Sequence, residues 1–276
     1  MALSIYNNVN AMNAHRVLLG TQGDMSKSME RLSSGLRINR AADDAAGLAV
    51  SETMRSNIRG QQVASRNAQD GVSLVQVADG ALGNVGDMLQ RVRDLAVQAS
   101  NGTLTDSQRS NLDAEVQQVL TEINAVGTNT DFNGIKILSG SVSTAANAVT
   151  LQVGSAAGQS IAFTIGTVST QALGVSGIAV STAASASAAI ASIDAAISFV
   201  TTNRATLGAT QNRLEQTISR LGIMAENLQG AESRVRDADM AQEMISFTKN
   251  QVLQQSGMAM LSQANQAPQS VLSLLR

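Results

Sequence analysis

The run "IASIDAAISFVTTNRATLGATQNRLEQTISRLGIMAENLQGAESRV", Ile190 to Val235, decides the fold. Ile190, Ile193, Ile197, Val200, Leu207, Leu214, Ile218, Leu221, Ala225, Leu228 and Val235 alternate in steps of three and four residues without a break. Arg204, Gln211 and Glu232 take the positions left over in that register. An apolar residue every 3.5 positions, sustained this long, specifies a left-handed coiled-coil seam. From about 186 to 235 it predicts a rod of roughly 75 Å at a rise of 1.5 Å per residue.

A seam needs something to face. Val50, Met54, Ile58, Ala64, Ala68, Val72, Val75, Ala78, Leu82, Val85, Leu89, Val92 and Ala96 repeat at helical spacing. Leu74, Val77, Ala81, Met88 and Leu95 form a second apolar strip beside them. Two strips mean more than one neighbour, so this helix sits inside a bundle. Asn101-Gly102 stops it. Thr105 opens another helix, with Gln108 as its capping-box partner, and Leu112, Val116, Val119, Ile123 and Val126 form its apolar face. The stretch "DFNG", 131–134, has turn chemistry, and "IKIL", "VTLQV" and "IAFTI" read as short strands. Residues 139–189 are rich in Ser, Thr, Ala and Gly. Such a segment is expected to bury little and to form a surface insertion with one weak hairpin. The expected fold class is mainly α: a long antiparallel helical bundle or coiled coil with a small β-hairpin region.

Composition supports long helices packed lengthwise. Aromatics are 2% of residues, tryptophan is absent and there is one proline. Burial energy must therefore come from aliphatic side chains along extended surfaces, and the commonest helix breaker is nearly missing. Net charge is −2, with no dense basic patch, so nucleic acid is not an expected partner. No run of 18 strongly apolar residues is evident, so no membrane span is expected. The N-terminus lacks the basic start and apolar run of a cleavable signal. Cysteine is absent, which excludes disulfides and thiolate sites.

Both ends carry apolar residues at helical spacing. Leu18, Met25, Met29, Leu32 and Leu36 do so near the start, and Met240, Met244, Phe247, Val252, Met258 and Leu261 near the finish. Both are diluted by Asn, Gln, Ser and Gly, and each interior glycine costs about 1 kcal/mol of helix stability. Such ends are expected to be poorly ordered alone and helical once packed.

Catalytic chemistry finds no support. His15 is the single histidine, which excludes a two-histidine metal site, and no phosphate-cradling glycine motif occurs. No cofactor is expected. The adjacent Asp43 and Asp44 in "RINRAADDAAGLAVSE" (37–52) stand immediately before a long helix. There one carboxylate can cap exposed N–H groups while the other faces Arg37, Arg40 or a neighbouring chain. They are read as a helix start and subunit contact, not an acid/base dyad.

Several stretches carry a family resemblance. "RLSSGLRINRAADDAAGLAVSE" (31–52), "LQRVRDLAVQASNGT" (89–103) and "DFNGIKIL" (131–138) resemble the N-terminal signature of bacterial flagellin. "DADMAQEM" (237–244) and "ANQAPQSVLSLLR" (264–276) resemble its C-terminal signature. The resemblance covers 1–138 and about 190–276, with a very short middle. It implies a secreted, extracellular subunit that self-assembles into the flagellar filament. Segments 1–40 and 236–276 would pair as inner-tube helices, disordered in the monomer and packed through Leu18, Met25, Leu32, Met244, Phe247, Met258 and Leu261. Residues 41–138 and 190–235 would form the outer tube, and 139–189 would face solvent. It further implies export unfolded through the flagellar type III apparatus, a chaperone on about 237–276, and filament cap and hook-junction proteins as partners. A host Toll-like immune receptor is implied at Arg91, Leu95 and Glu115; the alternative roles are bundle packing for Leu95, and an interhelical ion pair or subunit contact for Arg91 and Glu115. Two other identities fit parts of the pattern: a hook–filament junction protein, and a secreted enzyme with a protease insertion, for which the chain lacks the parts.

Overall fold

The structure is a computed structural model describing residues 7–274. The expectations that fall on residues 1–6 and 275–276 lie outside the described residues. Its helices are α1 (Val9–Ser34), α2 (Ala45–Ala99), α3 (Asp106–Asn129), α4 (Ala183–Arg236) and α5 (Met240–Leu274). Two antiparallel hairpins lie between α3 and α4: β1 (Asp131–Phe132) with β2 (Ile135–Lys136), and β3 (Val149–Gln152) with β4 (Ser160–Phe163). The chain divides into two compact units, Asn57–Glu226 and the residues on either side of it in sequence.

Helix ends follow the local chemistry. Thr105 and Gln108 exchange both bonds of a capping box at the start of α3. Beyond the end of α2, Arg109 reaches back from α3 and donates to the carbonyls of Ala99 (2.8 Å) and Asn101 (3.0 Å). A buried cation thereby satisfies acceptors that every helix C-terminus leaves open. In the first hairpin, Asn133 (φ 50°) and Gly134 (φ 80°) supply the two left-handed residues that a two-residue turn requires.

Within the 57–226 unit one continuous core draws on α2, α3, α4 and the segment between α3 and α4. Leu82, Leu89, Val92 and Leu95 of α2 meet Val116 and Ile123 of α3 and Ile193, Val200, Leu207 and Leu214 of α4. The second strip of α2 is only partly covered: Leu74 and Leu95 are buried, Ala81 and Met88 half-buried, Val77 exposed. Contacts at the helix surfaces run antiparallel. Arg93 pairs with Asp194 at 2.7 Å, and Arg204 with Asp79 at 2.8 Å. The bond to Asp79 also holds the Arg204 guanidinium pKa above its ordinary value.

Two findings differ from the sequence reading. The segment after residue 139 buries far more than its composition suggests. Val153, Ile161, Phe163, Ile165, Val168, Leu173, Val175 and Val180 all join the core. Polar residues on the helices hold its main chain: Asp113 accepts from Val180 N–H (2.7 Å), Gln117 donates to the Ile178 carbonyl (2.7 Å), and Asn124 accepts from Thr170 N–H (2.9 Å). Ile161, Phe163 and Ile165 keep a strand's alternation, but Val168, Leu173, Val175 and Val180 are isolated aliphatic residues set by loop geometry, which leave no periodic signal. Second, α4 is long and apolar enough, by length and composition, to cross a membrane. Its larger side chains Ile193, Val200, Leu207 and Leu214 are buried in the bundle, and alanines supply much of the remaining apolarity.

Candidate functional site

The unit outside 57–226 contains the residues that the sequence marks most densely. Helices α1 and α5 run antiparallel: Asn8 donates to the Ala264 carbonyl (2.7 Å), Leu18 lies against Gly257, and Arg31 pairs with Glu243 (3.6 Å). Gly257 makes the approach possible, since a Cβ there would fall 2.9 Å from Leu18 Cδ1. Asp239 starts α5 by accepting from Ala241 N–H (2.9 Å) and Gln242 N–H (3.2 Å). Leu18, Met25, Leu32, Phe247 and Leu261 are half-buried, whereas Met244 and Met258 are exposed.

This pair is thinly covered. Ser28 is the one fully buried residue of α1. Val9, Met12, Val17, Leu19 and Met29 of α1, and Met240, Met244, Ile245, Val252, Leu253, Met258 and Met260 of α5, are all exposed. Val252 is 61% exposed and Met260 66%. Single exposed apolar residues are ordinary, but a concentration along two packed helices marks an association surface.

The loop joining α1 to α2 is built from the "RINRAADDAAG" stretch and is bonded to the short α4–α5 loop, 237–239. Gly35 ends α1 in the left-handed conformation, its N–H donating to the Arg31 carbonyl at 2.8 Å. Arg37 N–H then donates to the Arg236 carbonyl (2.7 Å) and Ala238 N–H to the Gly35 carbonyl (2.9 Å), a short antiparallel bridge. The Arg37 guanidinium donates to the Val235 carbonyl (2.7 Å) at the end of α4. Ile38 plugs the turn and is buried.

The two aspartates take different tasks. Asp44 accepts from Gly47 N–H (2.9 Å) at the first turn of α2. Asp43 accepts from Asn39 N–H (3.2 Å) and Arg40 N–H (3.1 Å) and pairs with Lys27 at 2.8 Å. These bonds, the Lys27 one first, lower its pKa from 3.8 to about 2. Neither Arg37 nor Arg40 is the cation that Asp43 meets: Arg37 serves the α4 carbonyl, and Arg40 pairs with Glu30 at 2.9 Å. Arg236 pairs with Glu52 at 2.7 Å and holds that carboxyl below its usual range. Sequence reading missed Lys27, Glu52 and Arg109: beside the local pairs Glu52–Arg55 and Asp106–Arg109, the contacts to Asp43, Arg236 and the Ala99 and Asn101 carbonyls arise only through the fold. Asp239 had a signal, an aspartate before a helix with Glu243 in the first turn.

On the bundle, Arg91 donates to Glu115 at 2.9 Å, and both side chains are exposed. Leu95 is 1% exposed and belongs to the core, so its side chain is not a surface contact. His15 is exposed on α1. Among the described residues no three His, Cys, Asp or Glu side chains are grouped to hold a metal ion.

Long helices on a shared seam, charges bracing helix surfaces and an apolar-faced terminal pair define a helical structural subunit made to associate. Family models described as the bacterial flagellin N-terminal helical region and the bacterial flagellin C-terminal helical region match residues 5–143 and 190–275. The chain belongs to the bacterial flagellin family, with a short middle segment between the two conserved regions. It is 48% identical over 284 residues to a flagellar filament 33 kDa core protein of Treponema phagedenis, and 49% identical over 274 residues to a flagellin of Halalkalibacterium halodurans. Both alignments cover 99% of each chain. The crystal structure of Bacillus cereus flagellin matches with a TM-score of 0.50 at 32% identity, over 56% of this chain and 88% of that one. Flagellins are structural proteins, not enzymes, and this chain is a structural subunit of the bacterial flagellar filament.

Proposed function

We propose that the chain extends the filament by laying the exposed apolar faces of α1 and α5 against neighbouring copies. The observation that supports this is the density of uncovered aliphatic and methionine side chains on that pair. Each contributes about 1.5–3 kcal/mol when fully buried. A dozen together offset the ordering of two glycine-diluted helices. Contacts between different faces of identical subunits do not close on themselves, and so generate an open tube. On this reading 1–40 and 236–276 form the inner tube and 41–138 and 190–235 the outer tube, with 139–189 packed onto the outer-tube helices.

The same reading makes the chain a secreted protein, exported unfolded, with about 237–276 offered to an export chaperone and the filament ends meeting cap and hook-junction proteins. The absence of cysteine suits a chain that travels unfolded. Recognition by a Toll-like receptor would use the exposed Arg91 and Glu115, with Leu95 supporting them from beneath.

Val252→Asp and Met260→Asp test the central step. Both sites face solvent, so the monomer should keep its stability within about 0.5 kcal/mol. In a packed tube an unpaired carboxylate costs several kcal/mol. Elongation on seed filaments, followed by electron microscopy, should stop. Filaments of normal length and yield from both variants would refute the assignment of this face.

A further inference from the structure

The sequence contains two Asn-Gly pairs, Asn101-Gly102 and Asn133-Gly134. Asn-Gly is the dipeptide in which a side-chain amide is most readily lost, because glycine leaves its own nitrogen unhindered. All four residues are exposed, so access to water does not distinguish the pairs. Their hydrogen bonds do.

At Asn133-Gly134 the attacking nitrogen is occupied. Gly134 N–H donates to the Asp131 carboxylate at 3.1 Å, inside a two-residue turn whose flanks pair Phe132 with Ile135. The Asn133 amide oxygen has no donor among the described residues. At Asn101-Gly102 both features are reversed. Gly102 N–H has no acceptor among the described residues, and the Asn101 side-chain oxygen accepts from Thr103 N–H at 3.2 Å. That bond draws the amide carbonyl over the following backbone and polarises it. It also presents a donor where negative charge develops as nitrogen attacks.

We propose that Asn101 is a site of spontaneous deamidation and that Asn133, despite the same dipeptide, is protected. The Gly102 nitrogen bonds to Asn101 Cγ and gives its proton to water. The Cγ–NH2 bond breaks, and the departing nitrogen takes up a proton to leave as ammonia. Water then opens the succinimide at either carbonyl, giving aspartate or isoaspartate. Both products strain the corner between α2 and α3. A carboxylate appears beside the C-terminal end of α2, where the helix dipole is already negative. In isoaspartate the main chain runs through Cγ, one methylene longer, and the former Asn101 carbonyl, which Arg109 holds at 3.0 Å, becomes the free carboxylate.

A hydrogen bond to a charged acceptor contributes about 1.5–3 kcal/mol, and 1.4 kcal/mol is a factor of ten in rate. Asn133 should therefore convert at least about tenfold more slowly than Asn101. The test ages the purified full-length chain in warm, mildly alkaline water enriched in oxygen-18, then maps peptides by mass and assays isoaspartate enzymatically. Expected are label and isoaspartate at Asn101, and faster hydrogen exchange around 99–109 in the aged protein. Asp131→Ala should raise the Asn133 rate toward that of Asn101, and Thr103→Pro should slow Asn101. Equal rates at the two pairs, a faster Asn133, or no reaction at Asn101 while the urea-unfolded chain reacts at both would overturn the proposal. So would Asn133 staying slow in Asp131→Ala.

Discussion

Replacing Gly127 with alanine tests whether the segment after residue 139 is truly part of the core. Gly127 is buried in the last turn of α3. In a helix interior the exchange gains up to about 1 kcal/mol, and less near an end. Here a Cβ would overlap the Val168 carbonyl oxygen and lie 3.0 Å from its carbonyl carbon. The obstacle is main chain, so no rotamer change relieves it, and Val168 N–H is itself bonded to the Leu138 carbonyl at 2.9 Å. Overpacking of this kind costs about 1–3 kcal/mol, and loosening the Val168 bond adds about 1 kcal/mol. The net expectation is a loss of about 1–3 kcal/mol. Gly208→Ala in α4 is the control: nothing lies within 4 Å of its would-be Cβ, so the same exchange should stabilise by up to about 1 kcal/mol. Urea unfolding of the monomer, joined to hydrogen exchange across 57–226, reads both, because a two-unit chain need not unfold in one step. If Gly127→Ala stabilises as much as Gly208→Ala, the segment does not lie against α3 and the integrated core described above is wrong.

Arg109→Ala should cost about 2–4 kcal/mol by leaving the Ala99 and Asn101 carbonyls without their shared donor, and Arg109→Lys should recover little because a point charge cannot serve both acceptors; the urea midpoint and exchange at 99–109 measure it. The Asp43 carboxyl, shifted from 3.8 to about 2, binds its proton less readily when folded than when unfolded. Its contribution is therefore complete above about pH 4 and lost as pH falls toward 2. Asp43→Asn should flatten that acid-side loss in exchange protection of residues 35–47, and an unchanged pH profile would dismiss the Lys27 and loop bonds as its cause. On the proposed Toll-like receptor contact, Arg91→Ala should weaken receptor signalling by the monomer more than filament assembly, since an exposed ion pair adds only about 0–1 kcal/mol to the fold; equal signalling by parent and variant would refute that contact.

Legibility in the sequence tracked periodicity. The α2 and α4 seams and the Thr105–Gln108 box could be read because each is a local rule repeated or closed within a few residues; α2 does end near Asn101-Gly102, but neither residue is left-handed, and Arg109 from α3 closes that end. The "ADDAAG" helix start was legible as chemistry but not as partnership. Nothing within Arg37–Gly47 says that Lys27, one helix earlier, will lie 2.8 Å from Asp43. The middle segment was hardest. Its core residues, such as Val168 and Val175, follow no period of two or 3.6, and the residues that anchor its backbone are on helices where Asp113, Gln117 and Asn124 look like ordinary solvent-facing positions. Composition sees a low-complexity loop; three side chains reaching out of α3 make it part of the bundle.

The polar residues in the α4 seam have a related role. A long seam of isoleucine, valine and leucine packs almost as well after sliding by one heptad, so apolar burial alone leaves register weakly specified. Arg204 interrupts that degeneracy by reaching Asp79, while Asp194 reaches Arg93 further along the antiparallel pair. Slid one heptad in one direction, Arg204 would face Gly86 and Asp194 would face Ser100. Slid in the other, they would face Val72 and Gly86. Either slip breaks both pairs at once and returns no opposite charge to either arginine's partner. Each exposed pair contributes only about 0–1 kcal/mol to stability, yet their joint loss falls entirely on the misregistered alternatives. The ion pairs therefore act mainly to select one alignment of helices whose cohesion comes from the aliphatic seam. A filament subunit depends on that selection, because an error of one heptad at about 1.5 Å per residue displaces every downstream contact by about 10 Å.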